Sequence, residues 1–256
     1  EIINDKDIDL VMITTRHDSH ADYVLRSLKA GKHTFVEKPL TINQEELDAI
    51  KAFYNSDVAN KPVLMTGFNR RFSPFATEIK KHTDKRINPL FVHYRMNAGF
   101  IPLDTWVHDH GGRIIGEGCH LIDLMSSLTG SKISTISYEK LSPNNDKFSQ
   151  QDNVAMILKY EDGSVCTIHY FASGSKQLSK EYMEVHFDEK TIIMDDYKIL
   201  KGYGVSVKEL SLSRSEKGQK EELEALYETL KGNTKDWPIT LDDMIQTTEA
   251  TFLINN

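Results

Sequence analysis

The chain has 256 residues, of which 39% are hydrophobic and 27% are charged, a balance typical of a globular protein with a buried core. Its formal net charge of −7 argues against nucleic acid or an anionic membrane surface as a partner. No apolar run approaches the ~20 residues that a membrane helix needs, and nothing at the start resembles a signal peptide.

The first 70 residues predict alternating strands and helices. Short apolar runs, typical of strands buried on both faces of a parallel sheet, occur at 8–15, 33–39 and 62–68. Between the first two, residues 20–31 carry apolar side chains at helical spacing and end at Gly31, where a C-cap belongs. A second helix is predicted over 41–55 with Thr41 as its N-cap. A β-α-β order of this kind implies a parallel sheet.

The helices of the second part follow from apolar spacing and cap residues. They are predicted at 73–83, 116–130, 217–232 and 241–255. The first begins with Ser73 as N-cap and Pro74 at its first position.

The strands of the second part predict a largely antiparallel sheet. One strand is predicted over 89–99 and several short ones between 133 and 201, where the turn sequences "EDGS" and "DEKT" indicate hairpins. Residues 205–215 have weak strand character and are expected to form a loop. The predicted fold class is therefore α/β followed by α+β.

The only cysteines, Cys119 and Cys166, are far apart and in no metal-like spacing. No disulfide framework is expected, and a reducing cytoplasm is the simplest location. Because position 1 is Glu rather than Met, we also expect the chain to be a piece of a longer protein.

Three stretches carry a resemblance to a known family. They are "DIDLVMITTRHDSHADYVLRSLKAGKHTFVEKPL" (7–40), "TGFNRRFSP" (66–74) and "GGRIIGEGCHLIDL" (111–124). In this order they resemble the glucose-fructose oxidoreductase / inositol dehydrogenase / rhizopine-catabolism family, Gfo/Idh/MocA. The resemblance implies a partial Rossmann domain over 1–70 and, over 71–256, a substrate and oligomerisation domain with a large, mostly antiparallel open sheet.

The resemblance also implies an activity and partners. Members move a hydride between NAD or NADP and a hydroxyl carbon of a sugar, sugar derivative or cyclitol. The same motifs are similar to a subgroup fused behind an alcohol-dehydrogenase-like domain, so such an upstream domain is expected. A large sheet face without covering helices in the sequence favours a homo-oligomer through that sheet.

The sequence departs from the family pattern at two places. No G-x-G-x-x-G occurs, so about two β-α steps that would carry the phosphate-binding turn are expected to lie upstream. The family commonly has Asp four residues before its catalytic His, whereas Gly116 stands four residues before His120. The nearest carboxylate, Glu117, either takes over that task or leaves it to His120 and Lys38.

The catalytic residues that the resemblance implies are Lys38, His120 and Glu117. Oxidation of a secondary alcohol needs a group to take the hydroxyl proton, and imidazole suits this near neutral pH. An ammonium can hold the oxygen as negative charge develops. His120 is expected as general base and Lys38 as electrostatic clamp; the alternatives are a core histidine and a surface lysine at a strand end.

Cofactor contacts are expected from Thr15, His20, Glu37 and Lys38. Glu37 would hydrogen-bond the nicotinamide ribose, or else pair with a surface cation. Zinc at His17 and His20 is disfavoured because the sequence shows no third ligand.

Substrate contacts are expected from Arg71, Trp106 and Asp123. Trp106 precedes a His-Asp-His run and would stack on a sugar. Arg71 has an interdomain salt bridge as its alternative, and Asp123 either orients His120 or is a plain helix carboxylate. Metal binding by the His-Asp-His run and thiol catalysis by Cys119 are both disfavoured.

A second hypothesis comes from a different class of protein. The chain would then be a non-catalytic sugar-binding or assembly module of the same fold, inactive because it is truncated and lacks the usual Asp. Gly116 and the absent glycine-rich turn favour this hypothesis, whereas Lys38 and His120 oppose it.

Overall fold

The computed structural model describes residues 1–234 and 236–255. Its α-helices are α1 (His20–Lys29), α2 (Gln44–Asn55), α3 (Pro74–Thr83), α4 (Trp106–Asp109), α5 (Cys119–Thr129), α6 (Gln219–Leu230) and α7 (Leu241–Asn255). Its strands are β1 (Leu10–Ile13), β2 (His33–Val36), β3 (Leu64–Thr66), β4 (Phe91–Asn97), β5 (Ile133–Lys140), β6 (Asn153–Tyr160), β7 (Val165–Phe171), β8 (Glu181–Phe187), β9 (Lys190–Asp195), β10 (Ile199–Tyr203) and β11 (Leu210–Ser211). None of these helices is long and apolar enough to cross a membrane.

The chain forms two compact units. Unit 1 contains Glu1–Phe68, Asp109–Cys119 and Glu222–Asn256, and unit 2 contains Asn69–His108 and His120–Glu221. The predicted domains, 1–70 and 71–256, differ from these units in two segments, 109–119 and 222–256, which pack with the first part of the chain.

Unit 1 holds a parallel sheet in the order β1-β2-β3, which confirms the predicted β-α-β start. Gly31 follows α1 with a φ of +74°, as expected of a residue that ends a helix. The predicted cap Thr41 is wrong. Asn43 Oδ1 accepts the Glu46 backbone N–H at 2.9 Å, while Thr41 is buried. Asn is at least as good an N-cap as Thr, and it lies immediately before the first helical residue.

Unit 2 holds an eight-stranded sheet in the order β11-β10-β9-β8-β4-β7-β6-β5. Its pairs are antiparallel except for β4 with β7, so the predicted mostly antiparallel sheet is confirmed. The two predicted hairpins join β6 to β7 and β8 to β9. The expected loop over 205–215 is wrong for one short part, because Leu210 pairs with Leu200 and forms an edge strand.

Burial alternates along these strands, so one sheet face is covered and the other is open. The covered face includes Val92, Tyr94, Met156, Leu158, Cys166, Ile168, Met183, Val185, Ile192 and Met194. The open face carries exposed apolar side chains, namely Phe91, Ile157, Ile199 and Tyr203. Cys166 and the other cysteine, Cys119, are buried and are not joined in a disulfide.

The helix predicted over 116–130 begins differently. Ile114–Gly118 is a π-helical turn, which continues into α5. Ser73 does cap α3 as predicted, because its Oγ accepts the Ala76 backbone N–H at 3.0 Å.

A buried ionic cluster fixes the start of unit 2. Arg70 donates to both carboxylate oxygens of Glu181, at 2.8 and 3.1 Å, and Lys217 and Tyr94 donate to the same carboxylate. Burial by itself would raise the pKa of Glu181, but Arg70 and Lys217 outweigh it and lower that pKa to about 2. The carboxylate is therefore charged and fully paired.

Replacing Glu181 with Gln would leave the buried Arg70 and the partly buried Lys217 without their counter-charge. We expect the free energy of unfolding in urea to fall by about 3–5 kcal/mol. The control is Asp22→Asn in the exposed Asp22–Arg26 pair of α1, which should cost less than about 1 kcal/mol. Equal losses from the two substitutions would contradict the assigned role of the cluster.

Candidate active site

The predicted catalytic lysine lies at the carboxyl end of the parallel sheet. Lys38 follows β2 by two residues, and its Nζ donates to the carbonyl oxygen of Gly116 at 2.9 Å. Gly116 is in the π turn, and both residues belong to unit 1. The ammonium is thus held at the edge where ligands of open α/β sheets bind.

Glu37 lies beside Lys38 at this edge. Its backbone N–H donates to Ile13 O at 2.8 Å, which extends the ladder between β1 and β2. A Cβ at Gly67 would come within 3.3 Å of Glu37 Oε2. The carboxylate therefore lies close over the backbone at the end of β3.

His20, which was expected to contact the cofactor, is held between two backbone carbonyls, a geometry suited to positioning the loops. It is completely buried, with Nδ1 2.7 Å from Pro39 O and Nε2 3.1 Å from Thr15 O. The ring therefore ties the loop after β1 to the loop that carries Lys38. Thr15 itself is exposed, and its hydroxyl accepts from Ser19 Oγ at 2.7 Å.

His17, considered in the sequence only as half of a metal pair, packs against the π turn. Its Nδ1 lies 3.2 Å from His110 O. Burial lowers the pKa of His17 to about 4, and the nearby Lys38 acts in the same direction. The ring is therefore neutral near pH 7, with Nδ1–H donating to the carbonyl. Among the residues that the structure describes, no group of three His, Cys, Asp or Glu could hold a metal ion.

Glu117, the carboxylate next to Gly116, interacts within its own turn. Its Oε2 accepts from Arg113 Nη2 at 3.1 Å, and Arg113 is buried. Sequence reasoning missed Arg113 as a partner. The spacing of four residues was the available signal, because such pairs meet on one face of an α-helix.

In unit 2, two predicted substrate residues form a salt bridge with each other. Arg71 donates through Nε and Nη2 to the two carboxylate oxygens of Asp123, at 2.9 and 2.6 Å, and Asp123 is completely buried. The alternative for Arg71 was a salt bridge between the domains, whereas both partners of this salt bridge belong to unit 2. His120 lies one turn before Asp123 on α5 and is 5% exposed, while Trp106 on α4 is partly exposed.

Comparison with known proteins gives the family. The profile described as "Oxidoreductase family, NAD-binding Rossmann fold" matches residues 1–60, and that of the "Oxidoreductase family, C-terminal alpha/beta domain" matches residues 88–253. The chain belongs to the Gfo/Idh/MocA oxidoreductase family.

Individual relatives agree with this assignment. The chain is 30% identical over 163 residues to scyllo-inositol 2-dehydrogenase (NAD(+)) of Bacillus subtilis, covering 62% of this chain and 46% of the relative. It is 28% identical over 180 residues to inositol 2-dehydrogenase 2 of Saccharopolyspora erythraea, covering 68% and 50%. The chain thus spans about half the length of the curated relatives it matches.

A solved structure shows the same fold. Aldose-aldose oxidoreductase from Caulobacter crescentus, crystallised with glycerol, superposes with a TM-score of 0.80 at 19% identity. The match covers 99% of this chain and 78% of that one.

The residues at the carboxyl edge fit one end of a nicotinamide cofactor. Thr15, Glu37 and Lys38 supply a hydroxyl, a carboxylate and an ammonium there, groups suited to a ribose and a carboxamide. The sequence contains no G-x-G-x-x-G, so the fit concerns the nicotinamide-ribose end and not the pyrophosphate.

The buried neutral His17 makes stability depend on pH. Its folded-state pKa of about 4 lies below the ordinary 6.5, so the unfolded chain binds more protons between these values. Stability should therefore rise with pH through this window. In His17→Asn, we expect the gain in unfolding free energy from pH 5 to pH 7 to shrink by about 1–2 kcal/mol. An unchanged gain in urea titrations at the two pH values would contradict this.

Proposed function

We propose that this protein is an NAD- or NADP-dependent dehydrogenase that acts on a hydroxyl carbon of a sugar, sugar derivative or cyclitol. The observation that carries the proposal is the ammonium of Lys38, held by Gly116 O at the carboxyl edge of a parallel sheet in a member of this oxidoreductase family. The inositol dehydrogenases among the relatives make cyclitols the first substrates to test.

In the proposed reaction, Lys38 holds the substrate hydroxyl. Its ammonium donates to the oxygen and stabilises the negative charge that develops there as the hydroxyl proton is removed, before the hydride leaves and the neutral carbonyl forms. The Gly116 carbonyl keeps one Nζ–H occupied, which leaves the other two as donors and restricts where they point.

His120 is proposed to take the hydroxyl proton at a ring nitrogen. Imidazole has the proton affinity for this step near neutral pH, and burial in a packed helix limits competition from water. Glu117 remains a second candidate for proton transfer, although its contact with Arg113 favours a structural role.

Thr15 and Glu37 are proposed to hold the ribose and carboxamide end of NAD or NADP. When bound, the nicotinamide supplies the chemistry of hydride acceptance or donation.

Arg71 and Asp123 are proposed to form the buried support of α5 through their salt bridge, and Trp106 to contact the sugar. A reducing compartment such as the cytoplasm suits two buried cysteines that are not joined in a disulfide.

The catalytic assignment is tested by substituting Lys38 and His120, with a control lysine at the other end of β2. Lys38→Ala and His120→Ala should each lower kcat for NAD(P)-dependent cyclitol oxidation by about 10²–10⁴-fold. Lys32→Ala is the control, because Lys32 lies at the other end of β2 and binds the carbonyls of Asp5 and Ile8. It should leave kcat within about threefold, as expected for a group that touches no reacting atom.

The assay uses this chain and any longer natural form of the protein, with NADH and NADPH binding followed by fluorescence. Sugar or cyclitol binding without hydride transfer under either cofactor would favour the non-catalytic module instead. Equal activity of Lys38→Ala and the unmodified protein would contradict the assigned chemistry.

We also propose that the open face of the large sheet binds a second copy of the chain. Phe91, Ile157, Ile199 and Tyr203 place apolar area on three strands of one face, β4, β6 and β10, where a twofold-related copy can cover it. Ile157→Lys should shift light scattering after size exclusion from oligomer to monomer. Ile87→Lys is the control, because Ile87 is 90% exposed and lies before β4 rather than in the sheet. A monomeric unmodified protein would contradict the proposal.

A further inference from the structure

Glycine is required at position 116 because a neighbouring side chain leaves no room for a Cβ, and not because of the backbone conformation there. The φ of Gly116 is outside the left-handed region, so an L-residue could adopt the conformation. A Cβ at this position, however, would lie 2.8 Å from His17 Cε1, closer than real Cβ contacts come. The imidazole thus occupies the space into which a side chain at 116 would extend.

The His17 ring cannot easily move aside. Its Nδ1–H donates to His110 O at 3.2 Å, and the side chain is nearly completely buried. The ring also packs edge-to-face on His20, with centroids 5.9 Å apart. His20 is held in turn by the carbonyls of Thr15 and Pro39.

The close fit of His17 against Gly116 positions the Gly116 carbonyl oxygen. This oxygen accepts a hydrogen bond from Lys38 Nζ at 2.9 Å. A displaced π turn would carry that oxygen away from Nζ. Because His17 is neutral near pH 7, the ring adds no second positive charge beside Lys38. The ring therefore supports the turn without repelling the ammonium.

We propose that His17 is a positioning residue for Lys38, acting through its close fit against the bare Cα of Gly116. The imidazole fixes the π turn, the turn fixes a carbonyl oxygen, and that oxygen fixes the ammonium. The catalytic meaning of this arrangement depends on the proposed dehydrogenase function, but the arrangement itself does not.

The test compares Gly116→Ala with Gly118→Ala and with the double variant His17→Ala/Gly116→Ala. Gly118 is a matched control in the same π turn, where a Cβ would meet only Ile114 at an ordinary 3.4 Å. The first readout needs no cofactor or substrate. A pulse of acetic anhydride labels accessible amines, and mass spectrometry measures acetylation of Lys38 relative to Lys32.

We expect Gly116→Ala to raise Lys38 acetylation by roughly threefold or more, and Gly118→Ala to leave it unchanged. His17→Ala should also raise it, because the turn loses its support. The double variant should show less acetylation than Gly116→Ala, since the ring that the new methyl meets is gone. This non-additivity is the signature of the pair.

The second readout is kcat, which should fall most in the variant with the highest Lys38 acetylation and should stay near the unmodified value in Gly118→Ala. The proposal is overturned if Gly116→Ala behaves like Gly118→Ala, or if His17→Ala leaves Lys38 acetylation unchanged. A double variant in which Lys38 acetylation is as high as in Gly116→Ala overturns it as well.

Failure of Gly116→Ala to fold would still be informative. A folded double variant would then support the fit, and an unfolded double variant together with folded His17→Ala would overturn it. An unmodified protein without hydride transfer would refute the proposed function, whereas the acetylation pattern would still decide the role of His17.

Discussion

The hydrogen bond from Lys38 Nζ to the Gly116 carbonyl is the constraint on which the proposed chemistry of unit 1 depends. It joins residues 78 positions apart, and it requires both partners to be fixed in advance. On one side, β2 and the ring of His20 fix the loop that carries Lys38. On the other side, the π turn is packed between His17 and α7.

The last helix thus supports a residue near the start of the chain. α7 packs on the π turn, and its Glu249 accepts from Lys51 of α2 at 2.8 Å. Segments 109–119 and 222–256 join unit 1 for this reason, although they follow the large sheet domain or interrupt it in sequence. A purely sequential division of the chain places them with the second domain.

Local features of the fold could be predicted, and long-range ones could not. The strands of the parallel sheet follow from short apolar runs, and the Ser73 cap follows from the residues beside it. The π turn and the contact between Arg70 and Glu181 have no local signal. That contact joins residues 111 apart, and no periodicity connects them. The contact of Arg71 with Asp123 has no local signal either. Arg71 was therefore expected to bind substrate, although its guanidinium donates to Asp123.

The histidines show the same limit within the site. His17 and His20, three residues apart, look like a pair from their spacing, but each ring is held by distant carbonyls, at His110 for one and Pro39 for the other. Lys38 was predicted because the stretch that ends in "VEKPL" resembles the family's motif. Gly116 looked like a loss of function in the sequence, and in the structure it makes room for His17.

The most direct measurement of the central claim is isotope transfer. A cyclitol deuterated at its hydroxyl carbons is incubated with the protein and NAD or NADP, and the reduced cofactor is analysed by mass spectrometry. Deuterium should appear in the nicotinamide ring with the unmodified protein, and at least about 10²-fold more slowly with Lys38→Ala. Transfer undiminished in Lys38→Ala, or no transfer from any sugar or cyclitol, would contradict the proposed chemistry.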